Sequence, residues 1–402
     1  MPLPSVGATE VKVLLQIGGF PGMDYKIISC DDHIDLQMLP DDLWTLRMAS
    51  SMRDRAPRVE EREGRAVWAC EGKVWGPWFG KRRAPGEAKP ASPVINAFDR
   101  SGITEQSDRR PGVAALRLAD MDRDGVQTHV MFGPVVSIIA DDPALRDDCY
   151  RAYNDWLAEF CAAAPERLIG VAMLPESPEA ALKELLRLAA RGDFRQANLQ
   201  IANVRPRLHD RAWEPFWSAL EESGLILSFH VTVSFGVPND PGAGKPASAF
   251  TATKAFIEQF LDPFVDLFAW GILERHPRMR LVMAESGLGW LPWVVQELDY
   301  RHWRLWEARE YWDQRGGIAL MMKPSELFRR QIYTTFQEDH VAMSLLPFFG
   351  DGHVMWASDY PHPDSTWPNS RATIERQMKS LSAEMRKKLT HDNAARLYGL
   401  SF

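Results

Sequence analysis

Short, near-continuous apolar runs punctuate the chain at residues 25–30, 128–132, 169–174, 196–201, 225–230, 280–285, 332–336 and 354–359. Runs of this length without polar alternation are the pattern of parallel strands buried on both faces; a sheet with one wet face would alternate. Between the runs the period changes. Leu145, Cys149, Tyr153, Trp156 and Phe160 recur at steps of four, four, three and four, which places them on one face of a helix. Ser177 and Pro178 read as the N-cap and first residue of the next helix. Asp210 reads as the cap of another that stops near Gly224. Strand followed by helix, repeated eight times, predicts a closed (β/α)8 TIM barrel. An open doubly wound sheet is disfavoured, because no G-x-G-x-x-G follows the first strand.

Three segments exceed ordinary loop length. Residues 50–112 are rich in charge, Gly and Pro and carry Trp68, Trp75 and Trp78; residues 232–250 are crowded with Gly and Pro; residues 301–324 are helical and Trp-rich. Insertions of this kind in a barrel form lids, subunit contacts or small subdomains that pack their own aromatics. Residues 1–22 read as an N-terminal extension, and residues 23–402 as one barrel with an insertion at about 50–112.

The 402 residues are 45% hydrophobic and 25% charged, enough to bury a large core, and the net charge is −7. A mildly acidic chain points away from nucleic acid and anionic membrane as partners, and no apolar run is long enough to span a bilayer. The cysteines, Cys30, Cys70, Cys149 and Cys161, are scattered without a C-x-x-C pair, which reads as reduced thiols in a cytoplasmic protein.

Candidate chemistry lies where the strands stop. Asp31 and His33 end the first run, His230 the fifth, Glu285 the sixth and Asp359 the eighth. In a barrel these ends converge on one mouth. A buried strand that finishes in an ionisable group must pair, solvate or coordinate it. Imidazole nitrogen with carboxylate oxygen suits Zn2+, Fe2+ or Mn2+. In Asp31-Asp32-His33 the alternate residues share a side, so Asp31 and His33 can meet one ion while Asp32 points away. His129, inside a strand, reads as a satisfied core histidine, and His276 as the end of a helix.

The chain resembles the amidohydrolase superfamily, in the branch related to aminocarboxymuconate-semialdehyde decarboxylase and the resorcylate decarboxylases. The resemblance rests on an ordered set: Asp31-Asp32-His33, the segments at 120–126, 152–156 and 165–168, Leu227-Ser228-Phe229-His230, residues 271–277, Ala284-Glu285-Ser286-Gly287, Ala357-Ser358-Asp359-Tyr360-Pro361-His362, and residues 393–398. It implies a divalent metal held by Asp31, His33, His230 and Asp359. Two departures stand out. Asp31 occupies a position where many members have His or Glu, which favours a harder ion. Glu285 stands where the decarboxylases place a catalytic His, so it is a candidate general base or a further ligand.

The expectation is a metal-dependent hydrolase or non-oxidative decarboxylase acting on a small carboxylated, aromatic or unsaturated compound. Asp359 and Glu285 are the proton-handling residues, and Arg205 the candidate for the substrate carboxylate. Trp68, Trp75 and Trp78 are candidates to cover an aromatic ring. Zinc is the first metal expected, with iron or manganese, as one ion or two, as the alternative. With His362 added, three carboxylates and three imidazoles are enough for two ions, and the alternative activity is then a dinuclear hydroxylase. A non-catalytic barrel that partners a related enzyme is the remaining alternative. A homo-oligomer, in the form of a dimer, is expected.

Overall fold

The computed structural model describes residues 23–78, 109–134, 138, 140–231, 248–314 and 320–402. The extension at 1–22, the latter part of the 50–112 insertion, most of 232–250 and residues 315–319 lie outside the described residues. The chain runs through β1 (Ile27–His33), then β2 (Arg58–Arg62), β3 (Arg65–Cys70) and β4 (Lys73–Pro77). It continues through β5 (Val126–Phe132), β6 (Leu168–Leu174), β7 (Gln196–Leu199), β8 (Ile226–His230), β9 (Arg280–Ala284), β10 (Ile332–Phe336) and β11 (Val354–Trp356).

Eight of these strands form one sheet in the order β1-β5-β6-β7-β8-β9-β10-β11, each pair parallel, with helices in the connections. This is the (β/α)8 barrel. β1 and β11 stand at the two ends of the order, and the ring is drawn together there by single backbone bonds. The Asp359 amide donates to the Asp31 carbonyl at 2.9 Å, and the His33 amide to the Tyr360 carbonyl at 2.7 Å. The barrel interior is a cluster that includes Ile28, Cys30, Val130, Phe132, Val171 and Val282. The helix Asn393–Tyr398 adds Leu397 and Tyr398 to that cluster. Its Tyr398 hydroxyl donates to Gln196 at the start of β7, so this helix plugs the end opposite the strand termini.

The sequence periodicities hold. Leu145, Cys149, Tyr153, Trp156 and Phe160 are all buried on the helix Pro143–Cys161. Pro178 is the first residue of the helix after β6, although the Ser177 side chain makes no cap bond. Asp210 accepts from the Ala212 amide, and the helix Glu214–Ser223 ends at Gly224, whose φ of 69° is the left-handed turn that glycine adopts without a Cβ clash.

β2, β3 and β4 make a separate antiparallel sheet inside the insertion. Its tryptophans are committed to packing. Trp68 is fully buried and donates to the Leu36 carbonyl at 2.8 Å, Trp78 donates to the Leu39 carbonyl at 2.9 Å, and Trp44 meets Trp68 and Trp75 edge-on. The expectation that these rings cover a substrate is therefore corrected: they pack against the segment 36–44 that follows β1, as part of the main core.

Candidate metal centre

β1 carries a bulge that sets the site. Ser29 lies opposite His129 and Asp32 opposite Met131, so β1 spends one residue more than β5 between those pairs. An extra residue inverts the in-out alternation. Ile28 and Cys30 belong to the interior cluster; beyond the bulge Asp31 and His33 turn to the mouth, while Asp32 joins Ser29 on the other face. Asp32 there accepts from the Ser29 and Ser358 hydroxyls and the Tyr360 amide, at 3.0, 2.6 and 3.2 Å. This network, with buried Arg117 donating to the His33 carbonyl, holds the ends of β1 and β11 beside each other.

Across the mouth, His33 Nε2 lies 3.5 Å from Asp31 Oδ1 and 3.2 Å from Asp359 Oδ1. His230 Nε2 lies 3.3 Å from Asp31 Oδ1 and 3.5 Å from Glu285 Oε2. Both histidines and both aspartates are buried. Yet Asp31 Oδ1, His33 Nε2, His230 Nε2 and both Asp359 oxygens have no hydrogen-bond partner. Ligand atoms of Asp31, His33 and His230 lie within 4.8 Å of one another, and Asp359 adjoins this group through His33. Donors about 2.1 Å from one ion lie roughly 3.0–3.4 Å apart, so these separations fit a shared divalent cation. The supports fit as well. Thr335 donates to Asp31 Oδ2 at 3.1 Å, and His230 Nδ1 lies 2.7 Å from the Val231 carbonyl, which leaves Nε2 as the lone-pair nitrogen.

Glu285 follows directly after β9 and Asp359 stands three residues beyond the end of β11, with φ of 53° and 58°. Non-glycine residues in this region cost about 1–3 kcal/mol each, and such strain gathers at functional sites. Here it folds both carboxylates back over the mouth. The Glu285 amide is pinned by the Thr335 hydroxyl at 2.7 Å.

His362 is neither a surface histidine nor a remote one. Its Nε2 pairs with Asp35 Oδ2 at 3.1 Å, its Nδ1 lies 2.9 Å from Asp359 Oδ1, and its ring stacks on His33 at 4.0 Å. Burial pushes the Glu285 carboxyl well up, and the charge of Asp359 pushes it further. Burial acts the same way on Asp31 and Asp359, but the facing histidines outweigh it and hold both below the usual carboxylate range. Burial disfavours the His230 imidazolium, but Asp31 and Glu285 raise it to about 9.

A cavity of about 260 Å³ opens beside this cluster, lined among others by Asp31, Glu285, Trp290, Phe336, Glu338 and Asp364. Arg205 is not part of it. That residue is exposed, with its guanidinium turned onto the Val204 carbonyl, so the structure does not bring it to the other candidates. His129 also departs from expectation: it is buried 3.8 Å from Asp32, and neither ring nitrogen has a hydrogen-bond partner. His276 does follow a short helix, Ile272–Arg275, and pairs with Glu214. Asp35, Thr335 and Asp364 were not singled out from sequence. Asp35 had a signal, since it lies two residues beyond His33; Thr335 had none.

A family model described as amidohydrolase matches residues 84–400. The match begins after β1, so Asp31 and His33 stand on geometry. Gamma-resorcylate decarboxylase of Rhizobium radiobacter is 26% identical over 311 residues, 74% of this chain and 90% of that protein. An amidohydrolase from Mycobacterium avium subsp. paratuberculosis superposes with a TM-score of 0.68 at 20% identity, covering 94% of this chain and all of that one. A 5-carboxyvanillate decarboxylase from Novosphingobium aromaticivorans with bound manganese superposes with a TM-score of 0.62 at 18% identity, over 94% and 98% of the two chains.

Proposed function

The chain belongs to the amidohydrolase family, and from that premise we propose that it is a divalent-metal-dependent, non-oxidative decarboxylase of a small carboxylated aromatic or unsaturated compound. The observation that carries this is the clustering of Asp31, His33 and His230, with Asp359 beside His33, all buried and with their facing atoms unpartnered. The relative in Rhizobium radiobacter, a decarboxylase, supports a carboxy-lyase over a hydrolase and over a non-catalytic partner.

Those four residues would hold the ion, which when bound polarises a substrate oxygen. The rest falls to the chain. Decarboxylation breaks the carbon–carboxylate bond, releases CO2 and leaves an electron pair on carbon that must take a proton. Glu285 is the candidate donor: it lines the cavity, and burial together with the charge of Asp359 pushes its carboxyl up, in the direction that favours holding a proton. Trp290 and Phe336 supply flat apolar wall for one small ring. Arg205 has no part in this reading.

Zinc suits the nitrogen and oxygen donors, while the share of carboxylate equally suits manganese, the ion in the Novosphingobium relative. The dinuclear iron or manganese hydroxylase keeps one observation in its favour, the burial of His362 between Asp35 and Asp359. A cytoplasmic location, with Cys30, Cys70, Cys149 and Cys161 all free, and a homodimer complete the proposal.

The test is metal content and CO2 release from hydroxybenzoates on protein purified without added metal. Bound divalent ion and CO2 release are expected in the wild type, and loss of both in Asp359→Asn. Turnover that survives complete metal removal, or that consumes oxygen, would sink the reading.

A further inference from the structure

We infer that the reacting carboxylate of the substrate is seated in a small recess beside His230, with Asn198 as its positioning residue, while the ring lies in the larger cavity. The inference rests on the decarboxylase reading and supplies the carboxylate contact that Arg205 does not.

The mouth offers two spaces, and the order of the strands separates them. The cavity of about 260 Å³ is lined by Asp31 of β1 and by the segments that follow β9, β10 and β11. A recess of about 10 Å³ is lined from the other half of the ring, by Phe132 of β5, Met173 of β6, Asn198 of β7 and His230 of β8. The candidate ligands stand between the two. Asp31 borders the cavity, His230 borders the recess, and their facing atoms are 3.3 Å apart. A group bound there reaches both spaces. The recess admits one oxygen-sized group and excludes a ring.

The recess carries one directed polar group on apolar walls. Ser228 is fully buried and donates to Asn198 Oδ1 at 3.1 Å, which fixes the carboxamide. Asn198 is buried too, and its Nδ2 is left without an acceptor among the described residues. Phe132 and Met173 are almost wholly buried, and the Phe132 ring lies 4.8 Å from that of His230. Gly133 completes the wall, because no side chain fits there. A Cβ would stand 2.6 Å from Met173 Sδ and 2.8 Å from the Tyr153 hydroxyl, which is itself buried and without a partner.

This setting suits a carboxylate that is to be lost. A buried N–H needs an acceptor, and a carboxylate oxygen reaching past the ion supplies one. The apolar walls disfavour the negative charge and accept neutral CO2. The balance is that of the proposed reaction: the bond from ring carbon to carboxylate breaks, CO2 leaves, and the electron pair left on carbon takes a proton that the enzyme regains from water. Glu285 lines the cavity and Asn198 the recess, so proton and CO2 pass on different sides of the reacting carbon.

The experiment compares 2,6-dihydroxybenzoate with resorcinol, the same ring without the carboxylate, as ligands of the full-length Mn2+-loaded protein by calorimetry. Asn198→Ala should weaken 2,6-dihydroxybenzoate by about 10–100-fold, the range for a hydrogen bond to a charged group, and leave resorcinol binding and Mn2+ content unchanged. Asn198→Asp should weaken 2,6-dihydroxybenzoate further, because two carboxylates then meet. Ser228→Ala, which keeps Asn198 but frees its carboxamide, should give the same pattern to a smaller degree and reports even where a change at Asn198 disturbs packing. Equal weakening of both ligands would put a ring hydroxyl in the recess and overturns the inference, as does no weakening of either; CO2 release by the wild type then leaves the decarboxylase reading standing. A wild type that neither binds 2,6-dihydroxybenzoate nor releases CO2 from hydroxybenzoates overturns both.

Discussion

Glu285 has the most to decide at the scale of single residues. Its backbone is held in the left-handed region and its amide tied to Thr335, so the carboxyl is presented to the cavity in one orientation. If it delivers the proton, Glu285→Gln keeps the shape and removes only the acid. The expected result is a kcat lower by about 10²–10⁴-fold with the proposed ion still bound. Loss of that ion in the variant would make Glu285 one of its ligands instead. Asp124 offers a test remote from the mouth. Burial, only partly offset by the Ser370 hydroxyl and amide, pushes its carboxyl up to about 7. An unfolded aspartate titrates near 3.9. Between those values the folded chain keeps a proton that the unfolded chain has lost, so this group's contribution to stability falls as pH rises from about 4 to about 7 and is flat outside that window. Asp124→Asn removes the effect. The urea midpoint of the wild type relative to the variant should decline across that window, and a difference independent of pH would show that Asp124 does not titrate there.

At the scale of elements, the three-stranded sheet is the piece whose purpose changed. Trp68 is fully enclosed and bonded to the Leu36 carbonyl. Trp68→Ala should therefore cost about 3–5 kcal/mol, the range for emptying a buried aromatic position. Denaturant unfolding would measure this, with metal content and KM in the surviving folded protein near wild type. A raised KM without a stability loss would restore the lid. From sequence that distinction was not legible, because a tryptophan in an insertion looks the same whether it faces a ligand or the core beneath it. The barrel strands were legible to within two residues except at the ends of β1 and β11, each missed by three, since burial on both faces leaves an unbroken apolar run. The candidate ligands Asp31, His33, His230 and Asp359 stood out as polar endings to such runs. What no local pattern discloses is the bulge in β1. Continued alternation from Ile28 and Cys30 would have sent Asp32 inward, and only the pairing with β5 shows the inversion. Nor could a turn motif disclose that His362 returns to stack on His33, because that contact spans the chain.

At the scale of the molecule, the weakest part of the ring is also where the ligands meet. Every other adjacent pair of strands shares a ladder, whereas β1 and β11 are joined through isolated bonds, from Asp359 to Asp31 and from His33 to Tyr360. Asp31 and His33 lie on one side of that seam and Asp359 on the other, so a bound ion would clamp the first strand to the last. The proposed ligands come from distant parts of the sequence and meet only in the folded chain, so an ion held by them would bind that state alone and stabilise it, by about 2.7 kcal/mol at a free concentration a hundredfold above Kd. Chelation should lower Tm accordingly, and the loss should be local before it is global. In hydrogen exchange, the amides of His33 and Asp359 should lose protection on metal removal, while amides in the β6–β7 ladder, far from the seam, keep theirs. Equal loss in both places would mean that the ion supports the barrel as a whole. No change in either would mean that the seam holds by the Asp32, Ser358 and Tyr360 network alone, and that the cluster at the mouth spends its charge on chemistry without contributing to closure.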